Sequence, residues 1–262
     1  MFRFLFAIQM FAILIFSGRS VSAEVRIFED TECKIYAIED ASTRPKATLF
    51  SSVDPHERFV PSARDYAGSV NVFIVEFKAN GRRVMIDTGF GAPQGKLMNE
   101  LRKAKIAPKS ISDILLTHIH PDHVGGLPGF PNARVHIAKT EYEMWKNDPS
   151  RKNLAKYLPE EENLILFEYA TEVIPGIQAI KCAGHTPGHT VFRMKNRYFV
   201  GDILHALDLQ IAHPSFCARY DMNPRQAAAS RKFAIENFHG EWFGAHIPFP
   251  GKYTPPISPD KR

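Results

Sequence analysis

Residues 117–126 read THIHPDHVGG, and between His118 and His123 the chain places three histidines and an aspartate. Neutral imidazoles are common zinc ligands, and a carboxylate among them offsets the charge of the ion. In the pattern H-x-H-x-D-H, His118 and His120 can serve one ion while Asp122 and His123 turn toward a neighbouring one. A lone histidine in a turn is usually just solvated. Three with an interposed aspartate at this spacing carry a far more specific signal.

Reading outward, ISDILLTH before the turn is a buried strand that runs straight into it. Upstream, VNVFIVEF alternates and is rich in β-branched and aromatic residues, Asn80-Gly81 marks a hairpin turn, and RVMIDTG returns as a second strand to Asp87. Leu97, Leu101 and Ile106 fall on a helical stretch. Downstream, ARVHIA reads as a strand, KTEYEMWKN as a helix, and IQAIKCAGHTPGHT as a strand delivering a second histidine loop. A hairpin about Lys195-Asn196 ends at Asp202, PRQAAASRKFAIENF is a helix opened by Pro224, and EWFGAH is a strand leading to His246. Near the start, Glu24 to Ile38 forms a short strand-like segment, and residues 40–68 are expected to be a long loop with little regular structure. His118, His185, Asp202 and His246 each follow a strand. In a sheet covered by helices, groups at strand ends converge on one edge crevice, where ligands bind.

Composition narrows the function classes. The 262 residues, 44% of them hydrophobic, suit one globular domain, placed at residues 24–262. Residues 1–23 combine Arg3, an apolar run from Phe4 to Phe16 and a V-S-A ending, which together form a secretory signal peptide too short to span a bilayer comfortably. A secreted or periplasmic location is therefore expected, with no membrane association after cleavage; an uncleaved N-terminal anchor is the alternative. Removing residues 1–23 takes away Arg3 and Arg19 and no acid, so the net charge of +5 becomes +3. So mild an excess, with no basic run interleaved with aromatics, argues against nucleic acid as a partner. Cys33, Cys182 and Cys217 are widely spaced and lack a CxxC pair, so they encode no disulfide framework or thiolate zinc site, although one disulfide with a spare thiol is left open.

THIHPDHVGG resembles the signature of the metallo-β-lactamase superfamily, and VMIDTG, AGHTPGH, VGD and GAHIPFPG follow in that superfamily's order. The resemblance implies an α+β fold, a four-layer αββα sandwich with a dinuclear metal site at its edge. Carried over residue by residue, it implies that His118, His120 and His185 hold one metal, that Asp122, His123 and His246 hold the other, and that Asp202 bridges them. Two divalent ions, zinc by preference, are the implied cofactors. Zinc β-lactamases lack a bridging carboxylate where Asp202 stands, which argues against β-lactams as the main substrate. The stretch from GHTPGHT to AHIPFPG looks most like the branch holding quorum-quenching lactonases and methyl parathion hydrolase.

That resemblance implies a hydroxide shared by two ions, attacking an ester or lactone carbonyl, with Asp122 passing a proton to the leaving group. A small-molecule substrate is expected, such as an N-acyl homoserine lactone; organophosphate triesters, aryl esters and thioesters are the alternative. A metal-binding protein without turnover is a third reading, and a homodimer is left open. His189 is read as a supporting residue, Asp87 as an orienting hydrogen-bond partner, and His205 as either facing the site or lying on a surface loop. His56, His136, His213 and His239 are read as structural, and Cys182 as core. Protein recovered after export is expected to begin at Glu24, which N-terminal sequencing checks directly.

Overall fold

In the alternating stretch that begins the hairpin, Ile74 packs on one face of its sheet while Phe73 and Val75 pack on the other. The computed structural model describes residues 25–57, 65–147, 157–159, 161–169 and 172–256, so the signal peptide expected at residues 1–23 lies outside the described residues. That stretch becomes β4 (Gly68–Phe77), in a seven-stranded sheet. Its other strands are β1 (Val25–Glu29), β2 (Cys33–Thr43), β5 (Arg83–Ile86), β6 (Ile111–Leu115), β7 (Arg134–Ala138) and β8 (Leu164–Phe167). They lie in the order β1-β2-β4-β5-β6-β7-β8, antiparallel up to β5 and parallel beyond it.

A six-stranded sheet holds β9 (Glu172–Ile174), β10 (Ile177–Lys181), β11 (Thr190–Met194), β12 (Arg197–Gly201), β14 (Glu241–Gly244) and β15 (Lys252–Tyr253), in the order β15-β14-β12-β11-β10-β9. Within it β12 and β14 run parallel, and the helix Pro224–Asn237 lies in the connection a parallel pair requires. That helix opens as its sequence predicts: Pro224 stands at the first turn, and the Asn223 side chain accepts from the Gln226 amide at 3.1 Å.

Three apolar layers show the sandwich. Phe73, Val75, Ile86 and Leu115 of the first sheet meet Ala179, Phe192, Phe199 and Phe243 of the second. The outer face of the first sheet packs Ile74, Met85 and Ile114 against Leu97, Leu101 and Trp145 from its helices. The outer face of the second packs Val191, Tyr198 and Trp242 against Ala234 and Phe238. Burying each large side chain of this kind contributes about 1.5–3 kcal/mol. These layers form the expected α+β arrangement of helix, sheet, sheet and helix.

Two expectations need correction. Residues 24–38 hold one complete strand, β1, and most of a second, since β2 continues to Thr43. Residues 40–68 are also more ordered than their composition suggests: β3 (Phe50–Ser52) pairs antiparallel with β13 (Phe216–Ala218). Two three-residue strands so far apart in sequence leave no periodic signal. The helix expected to reach Ile106 closes at Lys103, where Lys105 turns into the left-handed region at φ 57°, although Ile106 is still buried. The three cysteines are all free and buried, so the disulfide left open by the sequence does not form.

Asp113, fully buried on β6, accepts hydrogen bonds from Ser112 Oγ at 2.7 Å, Arg82 Nη2 at 2.8 Å and His136 Nε2 at 2.8 Å. Burial opposes its charge, but the bonds from His136, Ser112 and Arg82 outweigh it and hold the carboxyl well below the usual range. The stabilisation is therefore present above the unfolded value of about 3.9 and lost as pH falls through the depressed folded value. Asp113→Asn should cost about 2 kcal/mol or more at pH 7. Denaturant unfolding should show that gap narrowing only in strong acid.

Candidate metal centre

Five of the groups singled out by sequence sit just beyond strand ends, and both sheets contribute. Asp87 follows β5 and His118 follows β6 in the first sheet, whereas His185 follows β10, Asp202 follows β12 and His246 follows β14 in the second. Pro121 then opens the short helix Pro121–Val124, which carries Asp122 and His123 back toward the same point.

The side chains meet in two groups. His118, His120, His185 and Asp202 offer ligand atoms within 4.8 Å of one another, and so do Asp122, His123 and His246. Asp202 lies between them: its Oδ2 is 3.1 Å from His185 Nε2, 3.2 Å from His246 Nε2 and 3.7 Å from His118 Nε2, while its Oδ1 is 3.2 Å from His123 Nε2. Asp122 Oδ2 reaches His246 Nε2 at 3.4 Å and His123 Nε2 at 3.7 Å. All seven residues nominated from sequence are therefore brought together.

The outer nitrogens of these rings are held from behind. Asp87 accepts from the Thr117 amide and hydroxyl, each at 2.8 Å, and lies 2.8 Å from His123 Nδ1. His118 Nδ1 meets Thr117 Oγ1 at 3.1 Å, and His246 Nδ1 meets the Ser69 carbonyl at 2.9 Å. His185 Nδ1 meets Asp221 Oδ1 at 2.9 Å, a partner that nothing in the sequence indicates because it lies 36 residues away on a turn. Each such contact fixes a ring so that its other nitrogen points inward. The orienting part expected for Asp87 thus has its geometry.

His189 turns away from the cluster: its Nε2 accepts from the Asp202 amide at 2.9 Å and its Nδ1 faces the Cys182 carbonyl at 3.2 Å. It supports the Asp202 backbone, as expected. Of the two readings of His205, the one facing the site holds, because the ring is buried with Nε2 3.2 Å from Asp202 Oδ2. His136 is structural, but as the buried partner of Asp113.

Several observations fit this donor set to cations. His120 Nδ1 lies 2.8 Å from His118 Nε2 and 2.9 Å from His185 Nε2. A single ring proton satisfies only one of those two contacts, whereas an ion about 2.0–2.1 Å from each nitrogen satisfies all three. His123 Nε2 and Asp202 Oδ1 are buried without a hydrogen bond. The charges agree. Burial opposes ionisation of Asp122 and Asp202, yet His123 and His246 outweigh it and hold both carboxyls well below their ordinary range. Burial, with crowding by other imidazoles, drives His118 and His120 well below theirs. Burial also opposes charge on His185 and His246, but Asp202 and its neighbours raise them to about 9 and about 10. Two fixed anions thus demand positive charge at this place, which either protons or metal ions can supply.

The metallo-beta-lactamase superfamily model matches residues 65–254, a span that includes every residue of this cluster. The chain belongs to that superfamily. The proteins it resembles include an N-acyl homoserine lactonase from a Bacillus species, 31% identical over 96 residues, or 37% of this chain and 38% of that one. Another is the N-acyl homoserine lactonase of Bacillus thuringiensis, 26% identical over 125 residues, or 47% and 48% of the two chains. The matched stretch thus spans less than half the length of these curated relatives. Over 90% of its length the chain superposes on the hydrolase AbOPH of the beta lactamase superfamily with a TM-score of 0.75 and 25% identity, covering 94% of that chain. On AidC, a dizinc quorum-quenching lactonase in complex with a product, the TM-score is 0.78 at 22% identity, over 90% of this chain and 95% of the other, which shows the shared fold.

Stripping divalent ions from this superfamily member with a chelator should lower its melting temperature, and added zinc should restore it. An ion at about a hundred times its dissociation constant adds about 2.7 kcal/mol per site, so scanning fluorimetry resolves the difference.

Proposed function

We propose that the chain is an exported, dinuclear metal-dependent hydrolase that opens lactone rings, with N-acyl homoserine lactones as the leading substrate class. The observation that carries this reading is the convergence of six ligand-type residues about a seventh, Asp202, whose two oxygens face both groups. The likeness to N-acyl homoserine lactonases supports the choice of substrate.

His118, His120 and His185 would hold one ion, Asp122, His123 and His246 the other, and Asp202 would bridge them. When bound, such ions acidify water and polarise a carbonyl oxygen. The chain's own residues then have distinct tasks. Asp202 keeps a negative charge between the two groups and fixes their separation. Asp87, Asp221 and the Ser69 carbonyl hold the rings of His123, His185 and His246 so that little reorganisation accompanies reaction. Asp122, the more exposed carboxylate, lies 3.4 Å from His246 Nε2 and would take the proton released by the attacking water and pass it to the leaving alkoxide. In a lactone that alkoxide stays tethered to the acyl product, which reduces the need for a strong external acid.

One observation favours a second reading. Segments 40–68 and 203–220 pack Phe50, Tyr66, Phe216 and Tyr220 together with Leu49 and Leu209, and Tyr220 lies with its ring 5.1 Å from that of His205. An aromatic wall formed at Tyr220 beside His205, backed by the buried Phe50 and Phe216, suits aryl esters or organophosphate triesters with aryl leaving groups. By contrast, a cavity of about 860 Å³ lined by Phe77, Lys78, Gly176, Arg193 and Lys195 belongs to the hairpin turns at the opposite end of the strands and contains none of the seven residues.

A turnover panel of N-acyl homoserine lactones, aryl esters, a phosphotriester and a β-lactam on zinc-, manganese- or cobalt-loaded protein tests the assignment. Lactones should give the highest kcat/KM. Inert lactones beside a readily cleaved aryl ester or phosphotriester would transfer the assignment to the second reading. Asp202→Ala should lower turnover about a hundredfold or more, and His189→Ala much less. Equal losses in folded, metal-loaded variants would count against the bridging assignment.

A further inference from the structure

Glu141 lies on the helix Lys139–Asn147, which contributes none of the seven clustered residues. It is fully buried, and its carboxylate accepts three hydrogen bonds from three places in the fold. Oε1 accepts from the Ile119 amide at 3.0 Å and from Trp145 Nε1 at 2.7 Å, and Oε2 accepts from the Gly188 amide at 2.9 Å. Ile119 stands between His118 and His120, and Gly188 stands three residues after His185. The first of these loops leaves β6 in one sheet, and the second joins β10 to β11 in the other. One carboxylate therefore grips the backbone between His118 and His120 and the loop that carries His185.

The approach is close. A Cβ placed on Gly188 would come within 2.4 Å of the Glu141 backbone nitrogen, so the second loop rests directly on the start of the helix. Tyr169 donates to the Gly188 carbonyl at 2.7 Å and holds that loop from its other side. At their base the loops are already joined by the Thr190 amide, which donates to the Thr117 carbonyl at 2.9 Å. Beyond that bond, Glu141 spans the gap. A buried carboxylate costs free energy unless its hydrogen bonds compensate, and packing the helix against the sheet needs no charge there.

We infer that Glu141 is a positioning residue for the His118, His120 and His185 group, setting the separation of the two loops and so the spread of the three inward nitrogens. This rests on the metal-site reading above.

Glu141→Gln isolates the effect. Its amide oxygen can keep the Ile119 and Trp145 bonds, while its amide nitrogen faces the Gly188 N–H, donor against donor, and releases the second loop alone. Trp145→Phe removes a bond to the same carboxylate but leaves both loops tied and keeps an aromatic ring against His120, whose ring centroid lies 5.8 Å from that of Trp145. Zinc competition against a chromophoric chelator, with melting of the metal-free proteins, reads both. In Glu141→Gln one of the two ions should bind about ten- to a hundredfold more weakly and the other change by less than about threefold, the usual cost of losing a ligand's support. Trp145→Phe should melt lower yet keep both affinities. Unchanged zinc binding in folded Glu141→Gln would overturn the inference. So would parallel weakening of both ions in both variants, since that would mark a purely structural role. Wild-type protein that takes up no zinc would overturn the metal reading itself, and this inference with it.

Discussion

The charge of Asp202 is the constraint around which the rest of the centre is arranged. A buried carboxylate facing His118, His123, His185 and His246 at 3.1–3.7 Å is tolerable only where positive charge accompanies it. Its surroundings follow from that need. Its amide is capped by His189, and its side chain stands at the end of β12, which is flanked by β11 and β14 and buried on both faces. The first sheet brings His118 and His123 against it only because the Phe73, Phe199 and Phe243 layer holds the two sheets face to face. The centre is thus a product of sandwich closure, with neither sheet holding a complete set of ligands.

The sequence disclosed these ligands because metal binding depends on residue type at short spacing, and four of the seven fall within six positions. The others were legible as polar residues standing after strands, and the superfamily's motif order linked them. The β4 hairpin was equally plain, since alternation on β4 and the glycine turn at Gly81, with φ 70°, are local properties. What stayed hidden depends on contacts between distant segments. Asp221 beneath His185, Glu141 between two loops, and the pairing of β3 with β13 join residues whose separation carries no period. His205 had two readings because a histidine four positions after a strand end can face either way until the Leu207–Ala212 helix fixes its turn, with Gln210 accepting from the His205 amide at 2.6 Å.

Support for the centre is layered by chemistry. Inward-pointing imidazoles are backed by carboxylates at His123 and His185 and by a hydroxyl or carbonyl at His118 and His246. A carboxylate behind an imidazole makes it a stronger donor to a cation, whereas a carbonyl mainly sets its orientation. Each of the two groups contains one histidine of each kind. Neither group is therefore plainly the stronger binder on these contacts, and the difference between them lies in Asp122 on one side and His120 on the other.

The ribbon of β3 and β13 adds a coupling between recognition and chemistry. β13 ends at Ala218, whose amide donates to Asp221 Oδ2 at 3.0 Å, while the other oxygen of Asp221 holds His185. Tyr220, at the aromatic wall, sits inside that same turn. A change of side chain that reshapes the wall by shifting residues 218–221 would therefore also move the support of a metal ligand. Substrate range and metal retention should drift together in this protein: a variant that admits a bulkier guest through this turn, or through β3, whose Phe50 pairs with Ala218 while Leu49 accepts from the Arg219 amide at 2.8 Å, would also loosen the hold on His185.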